Sequence, residues 1–105
     1  MATGRLAAQD MSAATLTTVY LTPAATYTVA SVTICNRGAA TSNISIAIAD
    51  ADTPLVGEYI EFETVLLAKN VLERTGIVLA ATQKIVVLSS QASVSAVVVG
   101  IETAA

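Results

Sequence analysis

Asp50, Asp52, Glu58, Glu61 and Glu63 fall within a 14-residue stretch that holds no lysine or arginine, the densest group of reactive side chains in the chain. A hard divalent cation takes several oxygen ligands, and Asp50-x-Asp52 followed by Glu58 offers calcium some of them. The residues after Asp52 depart from the EF-hand pattern, however, and Pro54 interrupts the loop. Glu61 and Glu63 alternate along a strand-like run, but paired acid–base catalysis needs a cleft that raises one pKa, which an exposed strand face does not supply. The same carboxylates also read as an acidic margin that discourages strand-to-strand aggregation or meets a basic partner. On this reading no metal and no cofactor are expected.

Other chemistry is removed by what the 105 residues lack. Without histidine the chain has no imidazole base, no Ser-His or Cys-His nucleophile pair, and none of the commonest transition-metal ligand. One cysteine, Cys35, excludes zinc ribbons, CxxC redox pairs and an intrachain disulfide; its neighbours Val32 and Ile34 suggest a small buried hydrophobe rather than a reactive thiol. The glycines at 4, 38, 57, 76 and 100 never approach the spacing of a phosphate-binding loop. Enzymatic activity is therefore not expected. Tyr20, Tyr27 and Tyr59 are too few for a stacking platform and read as core or interface residues. Arg5, Arg37, Lys69, Arg74 and Lys84 are scattered in a chain of net charge −3, which argues against a nucleic-acid partner.

The elements that must hold these residues are strands. Val, Ile and Thr, whose branched Cβ favours a pleated surface, make up a third of the sequence. Ile44-Ser45-Ile46-Ala47-Ile48-Ala49 alternates cleanly, and Tyr59-Ile60-Glu61-Phe62-Glu63 predicts Ile60 and Phe62 inward with Tyr59, Glu61 and Glu63 outward. With Thr17–Leu21, Tyr27–Cys35, Val71–Leu79, Lys84–Ser89 and Val94–Ile101, this predicts about seven strands in an antiparallel β-sandwich or small jelly roll. Asn36-Arg37-Gly38 offers residues suited to positive φ in the turn after the second strand. Residues 1–14 lack a steady period and read as an extended N-terminal arm; residues 15–105 form the sandwich domain. The long uncharged stretches Met11–Asn36 and Ile85–Ile101 are too rich in Ser and Thr, or too short, for a transmembrane helix, and Met1–Ser12 lacks the apolar run of a secretory leader. No membrane association is expected.

Composition also bears on the exterior. Area scaling gives a folded monomer roughly 5,500 Å² of surface, and the chain has 13 charged side chains to solvate it, half the usual share. Part of that surface is therefore expected to lie against other subunits. Val94–Ile101 is apolar on both faces, so Val97, Val99 and Ile101 are expected to meet another copy or the arm. Glu73 and Arg74 are adjacent and must point to opposite faces, each toward a cross-strand or intersubunit partner. Arg5, Leu6 and Asp10 of the arm complete the candidate interface.

Three stretches, Thr17-Thr18-Val19-Tyr20-Leu21-Thr22-Pro23-Ala24, Val32-Thr33-Ile34-Cys35-Asn36-Arg37-Gly38 and Val71-Leu72-Glu73-Arg74-Thr75-Gly76-Ile77-Val78-Leu79, lead to Val98-Val99-Gly100-Ile101-Glu102. In this order they resemble small virion structural proteins of tailed bacteriophages, including phages of cyanobacteria. The likeness covers roughly four fifths of the chain beyond the arm. It implies a capsid decoration, or cement, protein: a homo-oligomer, dimer or trimer, made in the host cytoplasm and seated on the outer surface of the virion, where its arm contacts the major capsid protein. A tail, baseplate or fibre subunit would share the fold, and a calcium-dependent binding module using Asp50, Asp52 and Glu58 is the reading from a different class. Deletion of Met1–Asp10 is expected to leave the domain folded and weaken attachment.

Overall fold

The computed structural model describes residues 2–105 and contains eight strands: β1 (Thr3–Met11), β2 (Thr17–Leu21), β3 (Thr26–Asn36), β4 (Ser42–Ala49), β5 (Tyr59–Leu66), β6 (Val71–Leu79), β7 (Lys84–Ser89) and β8 (Val94–Ala104). They form two antiparallel four-stranded sheets, sheet A in the order β1-β8-β3-β6 and sheet B in the order β2-β7-β4-β5. The first half of the chain runs antiparallel to the second, so that β1 pairs with β8, β2 with β7, β3 with β6 and β4 with β5. Rolling that ribbon brings β3 beside β8 and β4 beside β7. This is the eight-stranded jelly roll.

The sheets meet through their alternate residues. Val32 and Ile34 of β3, Ile44 and Ile46 of β4, Leu79 of β6, Ile85 and Val87 of β7, and Val94, Ala96 and Val98 of β8 form one buried cluster. Total exposure is 5352 Å², close to the value that scaling gives for a compact monomer.

The N-terminal arm is corrected. Residues 3–11 are a strand hydrogen-bonded along β8, with Met11 buried and Leu6 and Ala7 packed against the core. Its small residues hide the period: Ala7, Gln9 and Met11 share the inward parity of Val98, Ala96 and Val94, but only Met11 is a large apolar side chain among them. A slip in register between Arg5 and Ala7 breaks the alternation further.

The face assignment of β5 is also corrected. Opposite β4 the register slips twice, between Ile44 and Ile46 and between Ile46 and Ala47. Glu63 adopts φ 49° there, with its amide donating to Ser45 Oγ at 3.0 Å. The extra residues invert the alternation, so Glu61 turns inward opposite Ile46, whereas Ile60 and Phe62 are exposed. The acidic margin of the sequence reading therefore loses Glu61.

Asn36 performs a different task from the one its turn position suggests. Positive φ occurs elsewhere, at Ala14, Ala25, Lys69, Thr82 and Ser93 among others, and neither Asn36 nor Gly38 uses it. The fully buried Asn36 side chain instead donates to the carbonyls of Ala40 (2.8 Å) and Leu66 (3.1 Å) and accepts from the Gly38 amide (3.0 Å). It ties the β3–β4 turn to the end of β5, satisfying backbone groups that a loop beside the core would otherwise leave unpaired.

Candidate interaction surface

Asp52, Glu58 and Glu61 are each engaged with different partners. Asp52 accepts from Thr18 Oγ1 at 2.7 Å and from Lys84 Nζ at 2.8 Å, and these two partners, Lys84 first, hold its carboxyl below the usual carboxylate range. Thr18 lies on β2 and Lys84 on β7, so the loop after β4 crosses the outer face of sheet B to reach them. Ala47, Ala49 and Val86 are buried on that face, outside the inter-sheet cluster. Glu58 Oε1 accepts from the Leu55 amide at 2.7 Å and closes the 3₁₀ turn Val56–Glu58. Among the described residues no group of three or more acidic or thiol ligands comes together for a metal ion. Asp52 thus latches the loop after β4 across the sheet to β2 and β7.

Polar bridges span both open sides of the sandwich. On one, Glu61 of β5 ion-pairs with Arg74 of β6 and accepts from Thr64 Oγ1 at 2.5 Å. On the other, the Tyr20 hydroxyl of β2 donates to Glu102 Oε2 of β8 at 2.5 Å and accepts from Thr28 Oγ1 at 2.9 Å, while the Ala2 amide donates to Glu102 Oε1 at 3.0 Å. The Tyr20 bond, then the Ala2 amide, pulls the Glu102 pKa down; burial, then Glu102, pushes the Tyr20 pKa up.

The lowered Glu102 pKa adds stability that is complete above about pH 5 and is lost as pH falls through the carboxylate range. The raised Tyr20 pKa adds stability that is complete below about pH 10 and is lost above it. A Glu102→Gln variant, whose amide still accepts from Tyr20, is expected to show a shallower fall in melting temperature between about pH 5 and pH 3 than the wild type. Equal acid limbs would remove Glu102 from this role.

The outer face of sheet A gathers most of the expected interface. Arg5 pairs with Val99 and Asp10 with Ser95 across β1 and β8, Val97 with Thr33 across β8 and β3, and Thr33 with Glu73 across β3 and β6. Arg5, Asp10, Glu73, Val97, Val99 and Ile101 therefore share one face. Leu6 and Arg74 do not: Leu6 packs against the core, and Arg74 points between the sheets to Glu61. Glu73 and Arg74 do face opposite ways, with Thr33 Oγ1 donating to Glu73 Oε2 at 3.3 Å. Asp10 ion-pairs with Arg37 of the β3–β4 turn.

Val29 and Val78, which the sequence did not single out, also belong to this face. Ile101 lies opposite Val29, and Val29 opposite Val78, a continuous apolar row across β8, β3 and β6. Tyr27 and Val99 flank it, and all five are exposed, Val78 at 63% and Ile101 at 53%. Their combined exposure is on the order of 450 Å². The signal was weak: β3 is apolar at Tyr27 and Val29, but Ser31 and Thr33 continue the same face and Thr26 and Thr28 share the inward one, so neither face of β3 reads as uniformly apolar. Cys35 also lies on this face, half-buried, rather than in the core.

A second apolar surface occupies the opposite side of the sandwich. Val65 lies opposite exposed Asn43 on the outer face of β5, and Phe62, the only phenylalanine, packs edge-on against Tyr59 at 5.1 Å. Phe62 is 64% exposed and Val56, in the 3₁₀ turn, 93%; Leu55, before Val56 in the chain, and Leu67, after β5, are exposed as well. Side chains of this size rarely face water in a group on a monomer.

Fold and surface together define an eight-stranded antiparallel jelly roll with apolar areas exposed on both outer sides. Comparison with protein-family models, curated proteins and solved structures returned no match.

Proposed function

We propose that this chain is a non-enzymatic structural protein of a phage virion, a decoration or cement protein that stabilises the assembled head by bridging major-capsid subunits. The observation that carries this reading is the pair of exposed apolar surfaces, around Val29, Val78 and Ile101 on one side and around Val56, Phe62 and Val65 on the other. A bridge has to engage at least two bodies, and a chain with 13 charged residues has little else with which to solvate those areas. The jelly roll is also used in viral capsid domains, a fold-level analogy that favours the reading without identifying a site. The mechanism is linkage: a protein that binds the assembled shell and not its separated subunits stabilises the shell by its binding free energy, repeated over many copies.

The test is cosedimentation of the full chain with particles assembled from the phage's major capsid protein, together with its copy number in purified virions. Binding is expected, with Phe62→Asp weakening it at least about ten-fold because a charge enters an apolar contact. Absence of binding would overturn the proposal. Tens of copies or fewer per virion would assign the chain to the tail, baseplate or fibre instead.

A further inference from the structure

We infer that the outer face of sheet A is a two-fold interface between copies of this chain, with its axis parallel to the strands. The inference gives the proposed structural protein a specific partner for one of its apolar surfaces, and rests on that reading only for its biological purpose. Three observations lead to it.

The first concerns the sheet margins. Every edge strand is irregular: the register slips in β1 between Arg5 and Ala7, in β2 between Thr18 and Tyr20, in β6 opposite Ala30 and Val32, and twice along β5. The inner pairs β3–β8 and β4–β7 run without a slip. Bulged edges are poor templates for a further strand, which leaves the faces for docking.

The second is area. A four-stranded face about 19 Å wide, with strands of 9–11 residues in β1, β3, β6 and β8, presents on the order of 600 Å² per copy when aligned sheets pack at about 10 Å. Two copies then bury more than the roughly 1,000 Å² expected of a specific interface. An apolar row, Ile101, Val29 and Val78, crosses the face with Val99 beside it, and polar residues border that row, Thr3 at its β1 end and Arg5, Ser31, Thr33 and Glu73 along its flank.

The third is charge. Arg5 stands on β1 and Glu73 on β6, at opposite edges of this face, about 14 Å apart by strand spacing and beyond each other's reach within one chain. Neither has an ionic partner among the described residues. A two-fold rotation about an axis along the strands lays β1 of one copy over β6 of the other. Arg5 then comes to Glu73 of the partner copy twice over, offset by one outward row of about 7 Å that an arginine side chain spans. The same rotation sets Ile101 of each copy over Val29 of the other. An axis across the strands would instead place β1 over β1 and β6 over β6, which keeps Arg5 and Glu73 at opposite margins.

Sedimentation equilibrium and light scattering on the full chain test this without any capsid. A dimer is expected, with Val29→Lys giving a folded monomer by circular dichroism. Arg5→Glu and Glu73→Arg are each expected to weaken dimerisation at least about ten-fold, because each reverses two contacts per dimer, and the double variant to recover most of the loss. A monomeric or trimeric wild type, or single and double charge variants of equal strength, overturns the inference. A monomer that still cosediments with shells would sink the dimer alone, whereas a dimer indifferent to shells would sink the proposed function alone.

Discussion

Replacing Gly100 by alanine is expected to lower the melting temperature of the domain by roughly 10–25 °C, the equivalent of about 2–4 kcal/mol in a domain of this size. Gly100 points between the sheets from β8, opposite Gly4 on β1 and Ala30 on β3. A Cβ at this position would lie 2.2 Å from the Val29 carbonyl oxygen and 2.8 Å from Ala30 Cα. Both are backbone atoms, so no rotamer change relieves the overlap; β8 and β3 must move apart along their ladder. Gly57→Ala is the control, since nothing lies within 4 Å of a Cβ there and its φ is ordinary. A thermal melt of Gly100→Ala indistinguishable from that of Gly57→Ala would refute the close approach of β8 to β3.

Removing residues 1–11 is expected to destabilise the domain by on the order of 3–5 kcal/mol, enough in a marginally stable protein to abolish cooperative unfolding at 37 °C. The deletion takes away buried Met11, the Leu6 and Ala7 contacts with the core, and every backbone hydrogen bond between β1 and β8. It also leaves the long, apolar β8 as a new sheet edge, so aggregation should accompany the loss. This reverses the outcome expected of a detachable arm. A truncated chain that melts like the full one would return residues 1–11 to that role.

The two results turn on features with unequal visibility in the sequence. Thr17–Leu21, Val71–Leu79 and Lys84–Ser89 are legible to the residue, because β-branched runs bounded by turn residues carry their own evidence. The apolar outer parity of Val97, Val99 and Ile101 is legible for the same reason. Gly100 is silent in the sequence: a glycine in a strand suggests some close approach, but only the neighbouring ladder identifies Val29 and Ala30 as what it approaches. Phe62 and Glu61 are misread, since a period-two rule has no knowledge of a bulge, and a single residue in the left-handed region at Glu63 exchanges the two faces.

The candidate interface divides along the same line. Arg5 and Glu73 are 68 positions apart in the chain, and no local pattern relates them. Only the order β1-β8-β3-β6 sets them at opposite margins of one apolar face, where a rotated copy can match them.

Local chemistry thus determined, from the sequence alone, that this is a β protein with no histidine, a single cysteine and no phosphate-loop glycine spacing, poor in charge and apolar on both sides of its last strand. Strand order, the conversion of residues 3–11 into β1, the inward turn of Glu61 to Arg74 and the shared face of Arg5, Val29, Glu73 and Ile101 were decided only by the tertiary structure. The reason is physical: side-chain alternation and turn preference act over a few neighbouring residues, whereas which strands pair, and in what register, depends on how a whole ribbon rolls to bury its apolar face.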